Sequence, residues 1–507
     1  MLFYNNHMQP SDNPATSSGG LAELSRSLNG GGAVSEWSTD LASCGACGDK
    51  PKAVSLFSGA GIGDIGFHAA GFGFIAMCEL ESDRAELAKL NFPHAKVLTG
   101  DINSVGSDVI DSARESLAGG DLFLLTCTAP CQGMSKSGQG TLLRNIRLGK
   151  RPKLDPRNRL ILPALRVITA LRPRYVVFEN VIEMRNTVIE NDSGKLVRIL
   201  DVIAEELGQE YFGAAYDVEF ADYGIPQRRK RLITVYSRDE AAIRQFHAGI
   251  PMIPRATHSK DGRDGKKKWV SVWEAIKHFP PLDAGSRKSA EVRSLEFHRV
   301  PLLDEKKYEW VRHTPPSQSA FNNQCVNPGC GYSKNRTHGA TRNGHGINQS
   351  NKDTPLYCEA CGALLPRPYT QEPDGSLRIM SGYTSAYKRM AAELPAPALT
   401  RNLSFACSDH KLHPFQNRVL SLAEAMRIHT LSDFGYKWGP FQTPAGKHRE
   451  HAPDNLIRLV IGESIPPAFL RMLGEHLLAL AAGRASDEVT AANMVQSTLY
   501  DIQHPAI

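Results

Sequence analysis

The sequence has few cysteines and no long apolar segment. Ten cysteines in 507 residues are too sparse for a disulfide-stapled secreted scaffold. No run of about 18 apolar residues occurs, so the sequence predicts no membrane span. The first residues also lack the charged-then-apolar plan of a secretory signal. These absences predict a reducing, cytoplasmic setting and no membrane partner.

Positive charge is in small excess. Lys and Arg number 59 against 53 Asp and Glu, which gives a net charge of +6. The basic residues are nevertheless clustered, in "RNIRLGKRPKLDPRNR" (144–159), "QRRKR" (227–231) and "KDGRDGKKK" (260–268). Such clusters suit a polyanion, with nucleic acid the leading candidate, and solvated loops are the alternative.

From residue 53, apolar runs of strand length alternate with helical segments. The predicted strands are "AVSLF", "FIAMCEL", "AKVLTGDI", "DLFLLTC" and "RYVVFEN". This alternation predicts an α/β fold with a doubly wound parallel sheet. Ligands bind at the carboxyl ends of the strands in such sheets. The rule brings Gly59, Glu79, Asp101, Cys131 and Glu179 to one edge.

A glycine-rich turn, "LFSGAGIGDIG", follows the first strand. Its glycines permit a tight turn and close approach of a ligand to the backbone, and it lacks the Gly-Lys-Ser/Thr ending of a P-loop. Glu79 suits the hydroxyls of a ribose and Asp101 an adenine amino group, although each acid also suits a helix cap. Together they predict an adenosine-bearing cofactor, either a nicotinamide dinucleotide or S-adenosylmethionine.

A thiol follows the fourth strand, in "TAPCQGMSKSGQG" (128–140). A free cysteine is usually a small buried hydrophobe, but nearby cations that lower its pKa turn it into a nucleophile. Pro130 ends the strand just before Cys131, and basic residues crowd downstream. Glu179 ends the neighbouring strand. Cys131 and Glu179 are therefore a candidate nucleophile and acid.

In order along the chain, these motifs resemble those of the DNA (cytosine-5) methyltransferase family. They are "LFSGAGIG", "PCQ" (130–132), "DPRNRL" (155–160), "ENV" (179–181), "QRRKR" (227–231), "RVLSLAEAMRIHTLSDF" (418–434) and "IGESIPP" (461–467). The resemblance implies a Rossmann-like S-adenosylmethionine-dependent methyltransferase sheet with a smaller, irregular target recognition domain. It also implies methyl transfer to C5 of cytosine in a specific double-stranded DNA sequence.

The resemblance implies a role for each matching position. Cys131 would attack C6 of a flipped-out cytosine, and Glu179 would hold the ring at N3. Arg229 and Arg231 would contact the target base and its phosphate, and Asn180 would anchor the loop bearing Cys131. The implied cofactor pocket consists of Phe57, Ser58, Gly59, Gly61, Gly63, Glu79, Leu80, Asp101, Ile102, Pro130 and Ser464.

Two positions depart from the family pattern. Glu463 stands where the family has an amide, in Gly-Asn-Ser/Ala, which puts binding of the cofactor's methionine end in doubt. Cys127 adds a second thiol four residues before Cys131, and strand alternation predicts that it is buried.

The resemblance and the composition together divide the chain into five regions. The Ser- and Gly-rich start contains Cys44 and Cys47, which we interpret as incidental thiols. A segment that begins at Gly138 resembles the loop that closes over the flipped base. The predicted regions are a flexible arm (1–50), a catalytic and cofactor-binding domain (51–235), a target recognition domain (236–395), a return to the catalytic domain (396–485) and a tail (486–507).

Two cysteine pairs lie in the predicted target recognition domain, in "CVNPGC" (325–330) and "CEAC" (358–361). Paired cysteines flanking tight turns are typical of a tetrahedral structural zinc site. Cys325, Cys330, Cys358 and Cys361 are the predicted ligands of a zinc-ribbon-like site. The first spacing is longer than the usual two residues, and four free thiols are the alternative.

Other functions stay open at this point. An RNA cytosine-5 methyltransferase and a non-catalytic, zinc-containing DNA-binding module are the alternatives, although a binder needs neither Cys131 nor Glu179. A dehydrogenase leaves the Cys, Glu and Arg motifs unused. We expect a monomer in a restriction–modification or other phage-defence system. The sequence leaves open whether a cognate nuclease or defence-system protein is its partner.

Overall fold

The computed structural model describes residues 50–130, 134, 154–337, 340–342, 348–350, 353–380, 385–408 and 410–484. In the first half of the chain the strands are β1 Lys52–Leu56, β2 Gly73–Glu79, β3 Lys96–Thr99, β4 Leu124–Cys127, β5 Tyr175–Asn180, β6 Val188–Glu190, β7 Leu196–Arg198, β8 Phe212–Glu219, β9 Gln227–Arg228 and β10 Lys230–Ser237. The helices in that half are α1 Asp64–Ala69, α2 Ser82–Asn91, α3 Ile102–Leu117, α4 Ile161–Leu171, α5 Ile199–Leu207 and α6 Glu240–His247.

The second half has shorter strands and fewer helices. The strands are β11 His258–Ser259, β12 Lys267–Lys268, β13 Ala340–Arg342, β14 Asn348–Ser350, β15 Tyr369–Gln371, β16 Leu377–Ile379, β17 Ala396–Pro397, β18 Phe441–Gln442 and β19 His448–Arg449. The helices are α7 Val272–Ile276, α8 Glu305–Arg312, α9 Leu422–Ile428, α10 Asp454–Glu463 and α11 Pro467–Ala481. None of the described helices has the length and apolarity needed to cross a membrane.

Seven strands form the central sheet, in the order β3-β2-β1-β4-β5-β10-β8. The first five run parallel, whereas β10 is antiparallel to both β5 and β8. The five strands that the sequence predicts are these parallel strands, and β8 and β10 are additional strands at one edge of the sheet. Only ten residues (220–229) separate β8 from β10, which is too short for the crossover that parallel strands require. The predicted α/β class with a Rossmann-like sheet is confirmed.

Both faces of the sheet are covered, which explains why its strands are apolar along their whole length. Ala53 and Val54, adjacent in β1, belong to two different hydrophobic cores. On one face, α1 packs against α11, which comes from the far end of the chain. A Cβ atom on Gly66 of α1 would lie 2.1 Å from the carbonyl oxygen of Pro467. The close contact of these two helices therefore requires glycine at that position.

The segment after residue 236 starts on the sheet and then leaves it. Ala242 of α6 and Ile276 of α7 belong to the same core as α11. Trp310, Phe321 and Tyr387 belong to a separate core. The described residues between α8 and α9 contain one short 3-10 helix, Ala320–Asn322, and strands of two or three residues. This part of the chain is therefore built from loops around its own small core, as the composition predicts.

Candidate active site

The glycine-rich turn is tied to the end of β2 by a buried carboxylate. Glu79 accepts hydrogen bonds from the backbone N–H groups of Gly59 (2.8 Å) and Glu81 (3.0 Å). Burial raises the pKa of Glu79, while Arg84 and the two N–H groups lower it. Phe57 and Gly59 both have positive φ, 58° and 56°, a region that favours glycine. The turn thus bends sharply and leaves backbone facing the strand ends.

Leu80 and Asp101 extend this edge of the sheet. The Leu80 side chain is 58% exposed, so the pocket predicted from the sequence has an apolar surface beside Glu79. Asp101 caps α3, because its Oδ1 accepts from the backbone N–H of Asn103 at 2.8 Å. The helix-cap alternative therefore describes Asp101 correctly in this structure. Ile102, the next residue, is buried.

The remaining predicted pocket residues are spread around the turn. Ser58 donates to the Cys78 carbonyl at 3.4 Å, which continues the link between the turn and β2. A Cβ on Gly63 would lie 2.9 Å from the Leu470 side chain, so Gly63 packs on α11. Gly61 has a φ of 70°. Pro130 is half-buried at the end of the segment that follows β4.

Glu463, which replaces the family's amide, is ion-paired. Its Oε2 lies 3.0 Å from Nη2 of Arg84, while Nη1 of Arg84 lies 3.8 Å from Oε1 of Glu79. Arg84 therefore stands between two carboxylates and joins α2 to the end of α10. Sequence reasoning overlooked Arg84, because nothing in the spacing of α2 relates it to a residue nearly four hundred positions away.

Glu179 and Arg231 form an ion pair at the carboxyl end of β5. Arg231 Nε lies 2.8 Å from Glu179 Oε1, and both side chains are mostly buried, 17% and 12% exposed. Antiparallel pairing aligns Ile233 with Glu179. Arg231, two residues before Ile233, therefore projects from the same face of the sheet as Glu179.

Asn180 links this pair to the segment that leads to Cys131. Its Nδ2 donates to the Ala129 carbonyl at 3.0 Å, and its Oδ1 accepts from the backbone N–H of Val181 at 2.9 Å. Cys131 itself lies outside the described residues, as do Cys44, Cys47, the tail from 486 and most of the loop that begins at Gly138. Ala129, two residues before Cys131, is held beside Glu179.

Cys127 is buried at the end of β4, as strand alternation predicts. Its side chain is 1% exposed, and burial raises the pKa of its thiol to about 12. A thiol with that pKa stays protonated near neutral pH and is a poor nucleophile. Cys127 is therefore a packing residue.

Arg229 does not lie with Arg231, contrary to the prediction that both contact the target base. It is 2% exposed, and its guanidinium donates to the carbonyls of Leu399 (2.8 Å), Gly462 (3.1 Å) and Glu463 (3.3 Å). Arg229 lies between β9 and β10 and belongs to neither strand, so the rule that residues two apart in a strand share a face does not place it beside Arg231. Arg229 holds the return segment against the sheet.

A neutral histidine continues this link to Ser464. Gln227 accepts from the Leu399 N–H through Oε1 at 3.2 Å, so its Nε2 faces His429 Nδ1 at 3.3 Å. Nδ1 must accept, which places the ring proton on Nε2, 2.9 Å from Ser464 Oγ. Burial, together with Arg229, lowers the pKa of His429 well below its usual value. His429 lies within a quoted family motif, but its role was not recognised from the sequence.

The four predicted zinc ligands converge. The sulfur atoms of Cys325, Cys330, Cys358 and Cys361 all lie within 4.8 Å of one another. The Cys325–Cys361 and Cys330–Cys358 sulfurs are 3.7 Å apart, too far for a disulfide bond of about 2.05 Å. Cys358 starts a tight turn in which its carbonyl accepts from the N–H of Gly362 at 2.9 Å.

Comparisons with known proteins place this geometry in a family. The family model "C-5 cytosine-specific DNA methylase" matches residues 52–479. The chain belongs to the C-5 cytosine-specific DNA methylase family. It is similar to the type II methyltransferases M1.HgaI of Avibacterium volantium (28% identical, covering 84% of this chain and 97% of the relative) and M.XorII of Xanthomonas oryzae pv. oryzae (31% identical, covering 85% of each).

Membership in the C-5 cytosine-specific DNA methylase family confirms the predicted enzyme class, a DNA (cytosine-5-)-methyltransferase. It supports S-adenosylmethionine as the methyl donor and DNA as the substrate. The family model also extends across the long segment between β10 and α9.

We predict that Arg229 contributes more than Arg231 to the stability of the fold. Arg229→Met leaves three buried carbonyls without their donor and should lower the free energy of unfolding by about 3 kcal/mol. Arg231→Met breaks a mostly buried ion pair that still reaches solvent and should lower it by about 1 to 2 kcal/mol, less than Arg229→Met. Urea unfolding followed by fluorescence measures both. Equal losses of stability in the two variants would contradict the positioning role of Arg229.

Proposed function

We propose that the chain methylates C5 of a cytosine flipped out of a specific double-stranded DNA sequence, through a covalent bond between Cys131 and C6. The observation that carries the proposal is the Glu179–Arg231 pair, 2.8 Å apart, at the end of the strand whose Asn180 holds Ala129. These contacts support a nucleophile, a carboxyl group and a cation that converge on one base.

Each residue acts on a definite atom of the ring. The Cys131 thiolate adds to C6, and the electron pair of the C5–C6 bond moves onto C5. The carboxyl group of Glu179 holds N3 and stabilises the charge that the addition places on the ring. Arg231 orients Glu179, and its remaining N–H groups would meet the phosphate of the same nucleotide. After C5 gains the methyl group, water accepts its proton, the C–H electron pair re-forms the C5–C6 double bond, and the thiolate leaves from C6.

The chain's own groups fit S-adenosylmethionine at the neighbouring strand ends. Glu79 already accepts two N–H groups, and its carboxylate has lone pairs left for the two ribose hydroxyls. Exposed Leu80 offers an apolar surface for the adenine ring. Ser464, which hydrogen-bonds neutral His429, follows Glu463, the residue that is ion-paired with Arg84. The cofactor supplies an electrophilic methyl group to this edge of the sheet.

A duplex substrate requires base flipping, because neither face of a stacked cytosine can be reached by a sulfur atom. Extruding the base costs a few kcal/mol, which contacts of the protein with the DNA backbone must offset. The similarity to type II methyltransferases favours a restriction–modification setting, with a cognate nuclease or another phage-defence protein as a partner.

Bisulfite sequencing of DNA from cells that express the chain tests the function. The parent and Cys127→Ala should both give one methylated sequence context, because the buried Cys127 thiol stays protonated. Cys131→Ala should reduce methylation to background, at least a thousandfold below the parent. Methylation that persists in Cys131→Ala, or none in the parent, would contradict the proposal.

We also propose that Cys325, Cys330, Cys358 and Cys361 bind one structural Zn²⁺. Four sulfur atoms within 4.8 Å of one another fit a tetrahedral ion with Zn–S bonds of about 2.3 Å. Four thiolates leave no coordination position for a substrate, so the ion would stabilise folding. The segment between the two cysteine pairs is also held by a buried side chain. Arg367 donates to the carbonyls of Arg336 and Pro355, both at 2.8 Å.

Metal analysis of purified protein tests the zinc site. The parent should contain about one zinc per chain, and Cys358→Ser/Cys361→Ser should contain less than a tenth of that amount. Cys407→Ser is the matched control, since Cys407 is an exposed cysteine outside the cluster, and should keep its zinc. A parent without zinc, or a Cys407→Ser variant that loses it, would remove the proposal.

A further inference from the structure

One basic cluster has an ordered structure that the proposed site does not use. Residues 257–269, the basic lobe, contain five basic and two acidic side chains between Lys260 and Lys268. Lys260, Arg263, Lys267 and Lys268 are exposed, and Lys266 is half-buried. Within the described part of the chain, none of these five cations forms an ion pair with a carboxylate. The lobe therefore carries an excess of positive charge on its exposed surface, five basic side chains against two acidic ones.

The backbone of the basic lobe is held in a defined shape. Strands β11 and β12 pair His258 with Lys267 and Ser259 with Lys268. The N–H of Trp269 donates to the Ser259 carbonyl at 2.9 Å. The turn between the strands uses left-handed backbone at Gly262 and Gly265 (φ 65° and 73°), which glycine adopts without strain. The cations therefore project from a fixed turn.

The basic lobe is fastened to the edge of the sheet that carries Glu179. Trp269 Nε1 donates to Asp222 Oδ1 at 2.8 Å, and the N–H of Thr257 donates to the Asp222 carbonyl at 2.9 Å. Asp222 directly follows β8. Because β8 and β5 are both antiparallel to β10, their carboxyl ends lie at the same edge.

Arg228 stacks on the basic lobe and connects it to the segment 227–231. The Arg228 guanidinium lies 5.5 Å from the centroid of the Trp269 ring, a cation–π distance. Arg231, which pairs with Glu179, is three residues further along the same extended segment, about 10 Å away at 3.3 Å per residue. The lobe is therefore a neighbour of the candidate target-base site.

We propose that the basic lobe binds the phosphate backbone of the DNA duplex that flanks the flipped cytosine. This inference rests on the proposed function of the site. A duplex carries one negative charge for about every 1.7 Å of its axis, so a duplex that delivers a cytosine to Glu179 brings phosphates alongside the lobe. Contacts of this kind add affinity without sequence preference and offset the cost of extruding the base.

Salt dependence of duplex binding tests the lobe separately from methylation. The probe is a fluorescein-labelled, 24-base-pair duplex of arbitrary sequence, and the variant is Arg263→Gln/Lys267→Gln/Lys268→Gln. Its plot of log affinity against log salt concentration should be shallower than that of the parent by about 2 to 3, since each phosphate contact contributes about 0.9. Affinity at low salt should fall roughly tenfold.

A control triple variant removes the same number of positive charges from the opposite edge of the sheet. Lys89→Gln/Lys96→Gln/Arg172→Gln alters exposed cations near the amino ends of β3 and β5 and should keep the parental slope and affinity. An unchanged slope in the lobe variant, or an equal change in the control, would overturn the inference. The inference would also be overturned if the lobe variant lost affinity only for a second probe, a structured RNA hairpin, and not for the DNA duplex. Failure of the parent to methylate DNA would instead count against the proposed function.

Discussion

The arrangement of the site depends on the buried guanidinium of Arg229. A charge taken out of water costs several kcal/mol unless its donors are satisfied. The two Nη atoms of Arg229 donate to carbonyls from Leu399 and from the end of α10, which offsets much of this cost. These segments lie more than 160 residues beyond it in the chain, so they fold onto the sheet together. Together with the packing of α11 on α1 and the Arg84–Glu463 ion pair, this contact holds the end of α10 beside the glycine-rich turn.

Two separate groups of ion pairs lie along the carboxyl-terminal edge of the sheet. On the β1–β2 side, Arg84 lies between Glu79 and Glu463 and compensates for the acid that replaces the family's amide. On the β5 side, Arg231 neutralises Glu179 within reach of the segment that leads to Cys131. The proposed cofactor and base sites therefore have separate cations, and burial keeps His429, which hydrogen-bonds Ser464, neutral.

The sequence predicted much of this edge, because strand ends can be recognised locally. Apolar runs mark the strands, and the residues that follow β1, β2 and β5 were all assigned to the site. Spacing also predicted that the cysteine pairs would meet. Arg84 and His429 could not be assigned, since their partners are distant in the chain. Arg229 was assigned to the base because a motif does not show which of its arginines the return segment buries. Strands β8 and β10 were not among the predicted strands, and apolar content alone does not give the direction in which a strand runs.

The central claim is that one sulfur atom bonds transiently to the pyrimidine ring. It is tested most directly with a duplex in which the methylated cytosine is replaced by 5-fluorocytosine, incubated with the protein and S-adenosylmethionine. Fluorine at C5 cannot leave as a proton does, so the adduct cannot resolve. The account predicts a complex stable to denaturing electrophoresis for the parent and for Cys127→Ala, with none for Cys131→Ala. No such complex with the parent, or one that survives the loss of Cys131, would contradict it.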